Sequence, residues 1–226
     1  MSNFDSNGSP ENEWDDRGDL AWNEFDWERY LREQDEAVRR YLRFYESCKY
    51  SAERIDEVAE KMGWGQDNWS EEADGPVADD KPGADAAGSD EDVYTLHKNP
   101  IFIATKAISL GLKRSWEALA TDSGKVPQPL ALQFLAALHH AEEQASQAIH
   151  ALDFGDYAMA VSLFKRALSA LNGSLGLLTA DSVARHHTVL AWREDAMPQL
   201  FDLREIWLRV IAECRDELDR PVDEEN

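Results

Sequence analysis

From Asp19 to Met62 the chain holds no glycine and no proline. Its apolar and aromatic residues recur at Trp27, Leu31, Val38, Leu42, Tyr45, Cys48, Ala52, Ile55, Val58 and Met62, in steps that are mainly threes and fours. That spacing returns to one side of a 3.6-residue turn and predicts an amphipathic helix. A single helix over 19–62 would be roughly 60 Å long. This exceeds an ordinary globular helix, so the pattern predicts either a break into two helices or a projecting helix that pairs with another chain. The segment is also rich in large aromatic residues (Trp22, Trp27, Tyr30, Tyr41, Tyr45, Tyr50), which suit cores and interfaces alike. Packing against the chain's own C-terminal half is the preferred assignment.

Beyond residue 97 the pattern becomes a series of helices with ordinary punctuation. Asn99-Pro100 is a start signal, Asn as cap and Pro in the first turn, for a helix through Ile101, Ala104, Ile108, Leu112 and Trp116 to Gly124. A second helix starts near Pro129, carries Phe134, Leu135, Leu138, Ala141, Ala145, Ala148 and Leu152, and ends before Gly155. A third spans Tyr157 to about Leu171, with Asn172-Gly173 as its stop. Thr179 or Asp181 caps a fourth through Trp192, and Pro198 kinks it or opens a fifth that ends near Leu218. No run alternates with period two between turns, so strands are not predicted. The expected fold class is all-α: a bundle of four or five C-terminal helices plus the long aromatic N-terminal helix.

Charge adds the domain boundaries. The 226 residues carry 45 acids and 23 Lys or Arg, a formal net charge of −22. Residues 1–97 hold 27 acids against 10 bases, while residues 98–226 hold 18 against 13. Residues 1–20 set six acids against Arg17, and residues 62–97 set ten against Lys81. Neither stretch can bury enough apolar area to offset the entropy of ordering it. The reading is a disordered acidic leader (1–18), the long helix (19–62), a flexible acidic linker (63–97), the bundle (98–220) and an acidic tail (221–226). With no basic face, nucleic acid is excluded as a partner. The N-terminus has neither a basic region nor an apolar run, and about 18 consecutive apolar residues occur nowhere. The expectation is a soluble cytoplasmic protein without a membrane partner.

Candidate chemistry is sparse. The phosphate-binding, dinucleotide-binding, nucleophile-elbow and H-E-x-x-H motifs are all missing. Cys48 and Cys214 form no C-x-x-C pair, and two buried, reduced thiols are expected. His139 and Glu143, one turn apart, are the candidate pair for a metal ion, with His150 too far along the axis to join them. The competing reading of that pair is a solvated helix face. His187 shares a face with Val183 and Leu190, which predicts a histidine turned toward the apolar side. No cofactor is expected.

Residues 153–172, DFGDYAMAVSLFKRALSALN, resemble the second half of a tetratricopeptide-type helical hairpin. Gly155, Tyr157, Ala160, Phe164, Ala167 and Leu168 stand at that repeat's turn glycine, aromatic, small, large aromatic and closing Ala-Leu positions. Gln144, Ala151 and Asn172 depart from its Trp, Tyr and Pro, and there is no second copy at the repeat spacing. The resemblance implies a protein-binding adaptor; within this chain it is read as one hairpin of a bundle.

The function expected from these features is a non-enzymatic interaction or adaptor protein, its partner another protein or a second copy of itself. Its interaction residues are Trp22, Trp27, Tyr30, Tyr41, Tyr45, Tyr157 and Phe164. Two alternatives stand beside it: acidic segments that cover a basic protein surface, and a helical metalloprotein or enzyme using His139 and Glu143, with His186 or His187.

Overall fold

The structure, a computed structural model, describes residues 23–65, 98–181 and 183–220. The expected leader, all but the first residues of the linker, Trp22 and the acidic tail lie outside the described residues. The fold is all-α as predicted, with six α-helices and no strand among the described residues.

The 19–62 pattern resolves into two helices, α1 (Glu24–Ser47) and α2 (Arg54–Met62). Asn23 caps α1 through a reciprocal capping box: its side-chain oxygen accepts from the N–H groups of Phe25 and Asp26, and the Asp26 carboxylate accepts from its own. The break needs no Gly or Pro because serines supply competing oxygens. Ser47 Oγ donates to the Phe44 carbonyl at 2.6 Å, while Ser51 Oγ accepts from Glu53 N–H at 3.2 Å and donates to Glu57 at 2.5 Å. Gly63, in the left-handed region at φ 82°, ends α2, with Trp64 N–H bonded back to the Ala59 carbonyl.

The C-terminal part has four helices: α3 (Pro100–Ala120), α4 (Gln128–Asp153), α5 (Tyr157–Thr179) and α6 (His187–Asp219). Asn99 caps α3 as expected, and Gly155 at φ 71° turns α4 into α5. α3 stops at Ala120, short of Gly124, where Asp122 Oδ1 accepts the Gly124 N–H in a tight turn. α5 runs eight residues past the predicted stop, straight through Asn172-Gly173. Leu171, Ser174 and Leu178 are buried there, and their burial outweighs the roughly 1 kcal/mol that a helical glycine costs. The predicted fourth and fifth helices are one: Thr179 and Asp181 precede a 3-10 turn at Val183–Arg185, and α6 continues through Pro198.

Cross-helix contacts fix the directions. Trp116 Nε1, late in α3, donates to the Ala131 carbonyl, early in α4, and Lys106 and Lys113 of α3 both reach Glu142 of α4. Trp192 Nε1 donates to Ser115, and Trp207 Nε1 to Thr105, so α6 is antiparallel to α3. α3, α4, α5 and α6 thus close a four-helix ring in sequence order. Its interior holds Trp116, Trp207, Phe134, Phe164, Ile108 and Leu138, all fully buried. The α1–α2 hairpin lies outside the ring, on α3 and α6. Leu42 of α1 comes within 3.2 Å of where Gly111 of α3 would carry a Cβ, so glycine there permits the approach.

Candidate interaction site

α6 meets the hairpin along a row of charged residues spaced by seven: Asp195, Asp202 and Arg209. Seven residues are close to two helical turns, so all three lie along one side of α6. Asp195 takes the Lys49 ammonium at 2.8 Å. Asp202 Oδ2 accepts from both Tyr45 Oη and Arg54 Nε, while its Oδ1 accepts from Arg54 Nη2 at 3.0 Å. Arg209 grips Asp56 of α2 with Nη1 at 2.5 Å and Nη2 at 3.2 Å, and its own Glu205 at 3.1 Å. The middle pair is the protected one, with both side chains nearly buried.

The electrostatics follow from that placement. The bond to Asp202 raises the Arg54 pKa above the ordinary guanidinium value. Burial, reinforced by the Asp202 charge, pushes the Tyr41 and Tyr45 hydroxyls well above the ordinary tyrosine range. Around these tyrosines the hairpin builds an aromatic stack, Tyr41 lying 6.0 Å from Tyr45 and 5.7 Å from Trp64 between centroids. A groove of about 560 Å³ opens beside the row, lined by Leu42, Tyr50, Gly111, Trp192, Pro198 and Gln199 among others.

The expected interaction residues divide sharply. Tyr30, Tyr41, Tyr45 and Phe164 are buried within the chain, Tyr157 is half-buried, and Trp22 falls outside the described residues. Trp27 is 44% exposed at the head of α1, edge-on to Tyr30, with Phe25 at 76% and Leu31 at 49% beside it. Phe25, Trp27 and Leu31 together make the head of α1 an exposed apolar tip.

His139 and Glu143 are exposed, and Glu143 sits 3.7 Å from His140 instead. Among the described residues no three His, Cys, Asp or Glu side chains come together in a way that could hold a metal ion. The reading of His187 as turned toward the apolar side is corrected: α6 begins at His187, which is exposed, and Val189 takes the buried position. His150 Nδ1 lies 2.8 Å from the Ser146 carbonyl within its own helix.

Sequence reasoning missed the charged residues that do the joining. Asp195, Asp202 and Arg209 on α6, and Lys106 and Lys113 on α3, recur at intervals of seven beside apolar stripes. Such a spacing is a readable sign of charges that face a neighbouring helix. Glu142, clamped by both lysines at 3.0 and 2.5 Å, was passed over for its solvent-facing neighbour Glu143.

Among the described residues no helix is long and apolar enough to cross a membrane. No family model, no curated protein and no solved structure matches the chain.

Proposed function

We propose that the chain is a non-enzymatic interaction protein of the cytoplasm that presents the head of α1 to another protein. The observation carrying this reading is the exposed apolar tip of Phe25, Trp27 and Leu31 at the head of α1. A capped helix that leaves large aromatics in water bears a continuing cost, which a partner's apolar groove removes. Tyr41 and Tyr45, stacked in the hairpin with Tyr45 bonded to Asp202 of α6, hold α1 in place behind the tip. The tetratricopeptide-type resemblance of residues 153–172 fits an adaptor role, and Ala160, Phe164 and Ala167 of that segment are fully buried on α5.

The test is affinity capture with the full chain and with a Phe25→Ser, Trp27→Ser, Leu31→Ser variant. The variant is expected to keep its helicity and its melting temperature within a few degrees, and to lose the captured protein. Retention of the same captured protein by the variant would defeat the reading. Capture of a second copy of this chain through the tip would replace the partner protein by self-association.

A further inference from the structure

Cys48 closes α1 and is 4% exposed. Lys61, in the last turn of α2, reaches back across the hairpin and places Nζ 2.8 Å from Cys48 Sγ. Hydrogen bonds from N–H to oxygen are commonest at about 2.9–3.0 Å, and sulfur is the larger atom, so this pair is pressed together. The contact sets a primary amine directly against the sulfur, so chemistry at one atom is within reach of the other. Glu57 is held on the same side of the hairpin by the Ser51 hydroxyl at 2.5 Å, and hydrogen bonds from Ser51 and then Cys48 lower its pKa. Cys214 provides the contrast. It is buried on α6 beside Glu213 and Glu217, and burial pushes its thiol up to about 11, which keeps it protonated.

The separation also suits a bridged product. A direct S–N bond would be shorter than the roughly 2.04 Å of a disulfide, so the two atoms would have to close considerably from 2.8 Å to form one. One oxygen bonded to both atoms, and bent at its centre, spans the gap. We propose that Cys48 and Lys61 are an oxidative modification site that peroxide closes into a covalent Sγ–O–Nζ bridge, locking the end of α1 to α2.

The steps balance with peroxide as the oxidant. The Cys48 thiolate attacks one peroxide oxygen; an S–O bond forms, the O–O bond breaks, and hydroxide leaves to give the sulfenic acid. Lys61, having lost a proton to solvent, attacks a second peroxide; an N–O bond forms and water leaves to give the hydroxylamine. The hydroxylamine oxygen then attacks sulfur, and the sulfenic hydroxyl departs as water. Each peroxide takes two electrons, one pair from sulfur and one from nitrogen. Because Cys48 is buried, access depends on local opening of the 48–53 turn, and closure is slow.

The full chain is treated with hydrogen peroxide under native conditions, then weighed intact, and its thiols are counted after denaturation. The expected product gains about 14 Da, one oxygen in and two hydrogens out, and a thiol reductant reverses it. One of the two thiols disappears, and digestion yields a peptide joining residue 48 to residue 61. Lys61→Arg keeps the charge without the primary amine and is expected to stop at simple oxygen additions, while Cys48→Ser gives no bridge. The proposal is overturned by a gain of only about 16 Da per oxygen in both the wild type and Lys61→Arg, or by a loss of about 2 Da, the mark of a direct S–N bond. Linkage through Cys214 overturns it equally.

Discussion

The ring and the hairpin are held by different physics. On α3, 11 of 21 residues are buried, whereas on α1 only Tyr30, Val38, Tyr41 and Tyr45 of 24 are. The ring closes through apolar seams, such as Trp116 packed 4.6 Å from Phe134 and 4.7 Å from Trp192. The hairpin has a narrower stripe and adds the row Asp195, Asp202 and Arg209, whose bonds are directional. Apolar seams give bulk stability, and charge-assisted bonds fix register. The hairpin should therefore be well placed yet the easier part to release.

The comparison breaks most visibly in the ring. Phe134→Ala empties a fully buried site that touches both Trp116 and Trp192 and is expected to cost about 3–5 kcal/mol. Urea unfolding followed by circular dichroism should show ring and hairpin lost in one transition, because the hairpin's platform goes with the ring. Survival of a folded α1–α2 unit in this variant would mean that the hairpin does not depend on α3 and α6.

Alkaline pH should separate the two regions in the opposite order. The buried Tyr41 and Tyr45 both lie on the hairpin, and burial raises both of their pKa values in the folded state. A raised folded pKa leaves its contribution whole below the unfolded value, about 10 for tyrosine, and loses it as pH climbs above that. The loss is about 1.4 kcal/mol per pH unit for each tyrosine, so the pair removes about 2.7 kcal/mol per unit. Hydrogen exchange is expected to show α1 opening before α4 and α5, in step with tyrosinate absorbance. Simultaneous opening of all helices would count against a separately held hairpin.

How much of this was legible in the sequence follows the same division. The stripes of α3 and α4 and their start signals were readable because an apolar seam repeats with the helix and needs no knowledge of its partner. Stops were harder: Asn172-Gly173 is a local signal, and burial of Leu171, Ser174 and Leu178 overrides it. The break at 48–53 was foreseen as a possibility but not placed, since it depends on serine side chains and on docking of the hairpin. Asp202 was invisible as a joint. Its spacing from Asp195 and Arg209 is written in the chain, yet its partners Tyr45 and Arg54 are 157 and 148 residues away.

Asp202→Ala tests that joint directly. It leaves Arg54 and the Tyr45 hydroxyl without their shared acceptor, and losing one partner of a fully buried pair costs about 3–5 kcal/mol. Here the side chains are 12% and 13% exposed and Arg54 Nη1 keeps the Lys49 carbonyl, so about 2–3 kcal/mol is expected. The hairpin should exchange faster while the ring's melting temperature moves little. An equal loss of protection in α4 and α5 would make Asp202 part of the ring's own stability.

Asp195→Ala should do least, and for a reason that sharpens the comparison. Lys49 and Asp195 make a 2.8 Å contact, but their side chains are 44% and 65% exposed, so water competes for both charges. Pairs of this kind contribute less than about 1 kcal/mol and weaken with salt. Urea denaturation with hairpin exchange as the readout, at low salt and again at high salt, is expected to show a small difference from wild type that vanishes in high salt. A loss that persists in high salt would place Asp195 in a protected joint like that of Asp202, and the row would then act as one unit. Burial separates the two: the Arg54–Asp202 side chains are 12% and 13% exposed against 44% and 65% for Lys49 and Asp195, and the difference in expected effect follows from that.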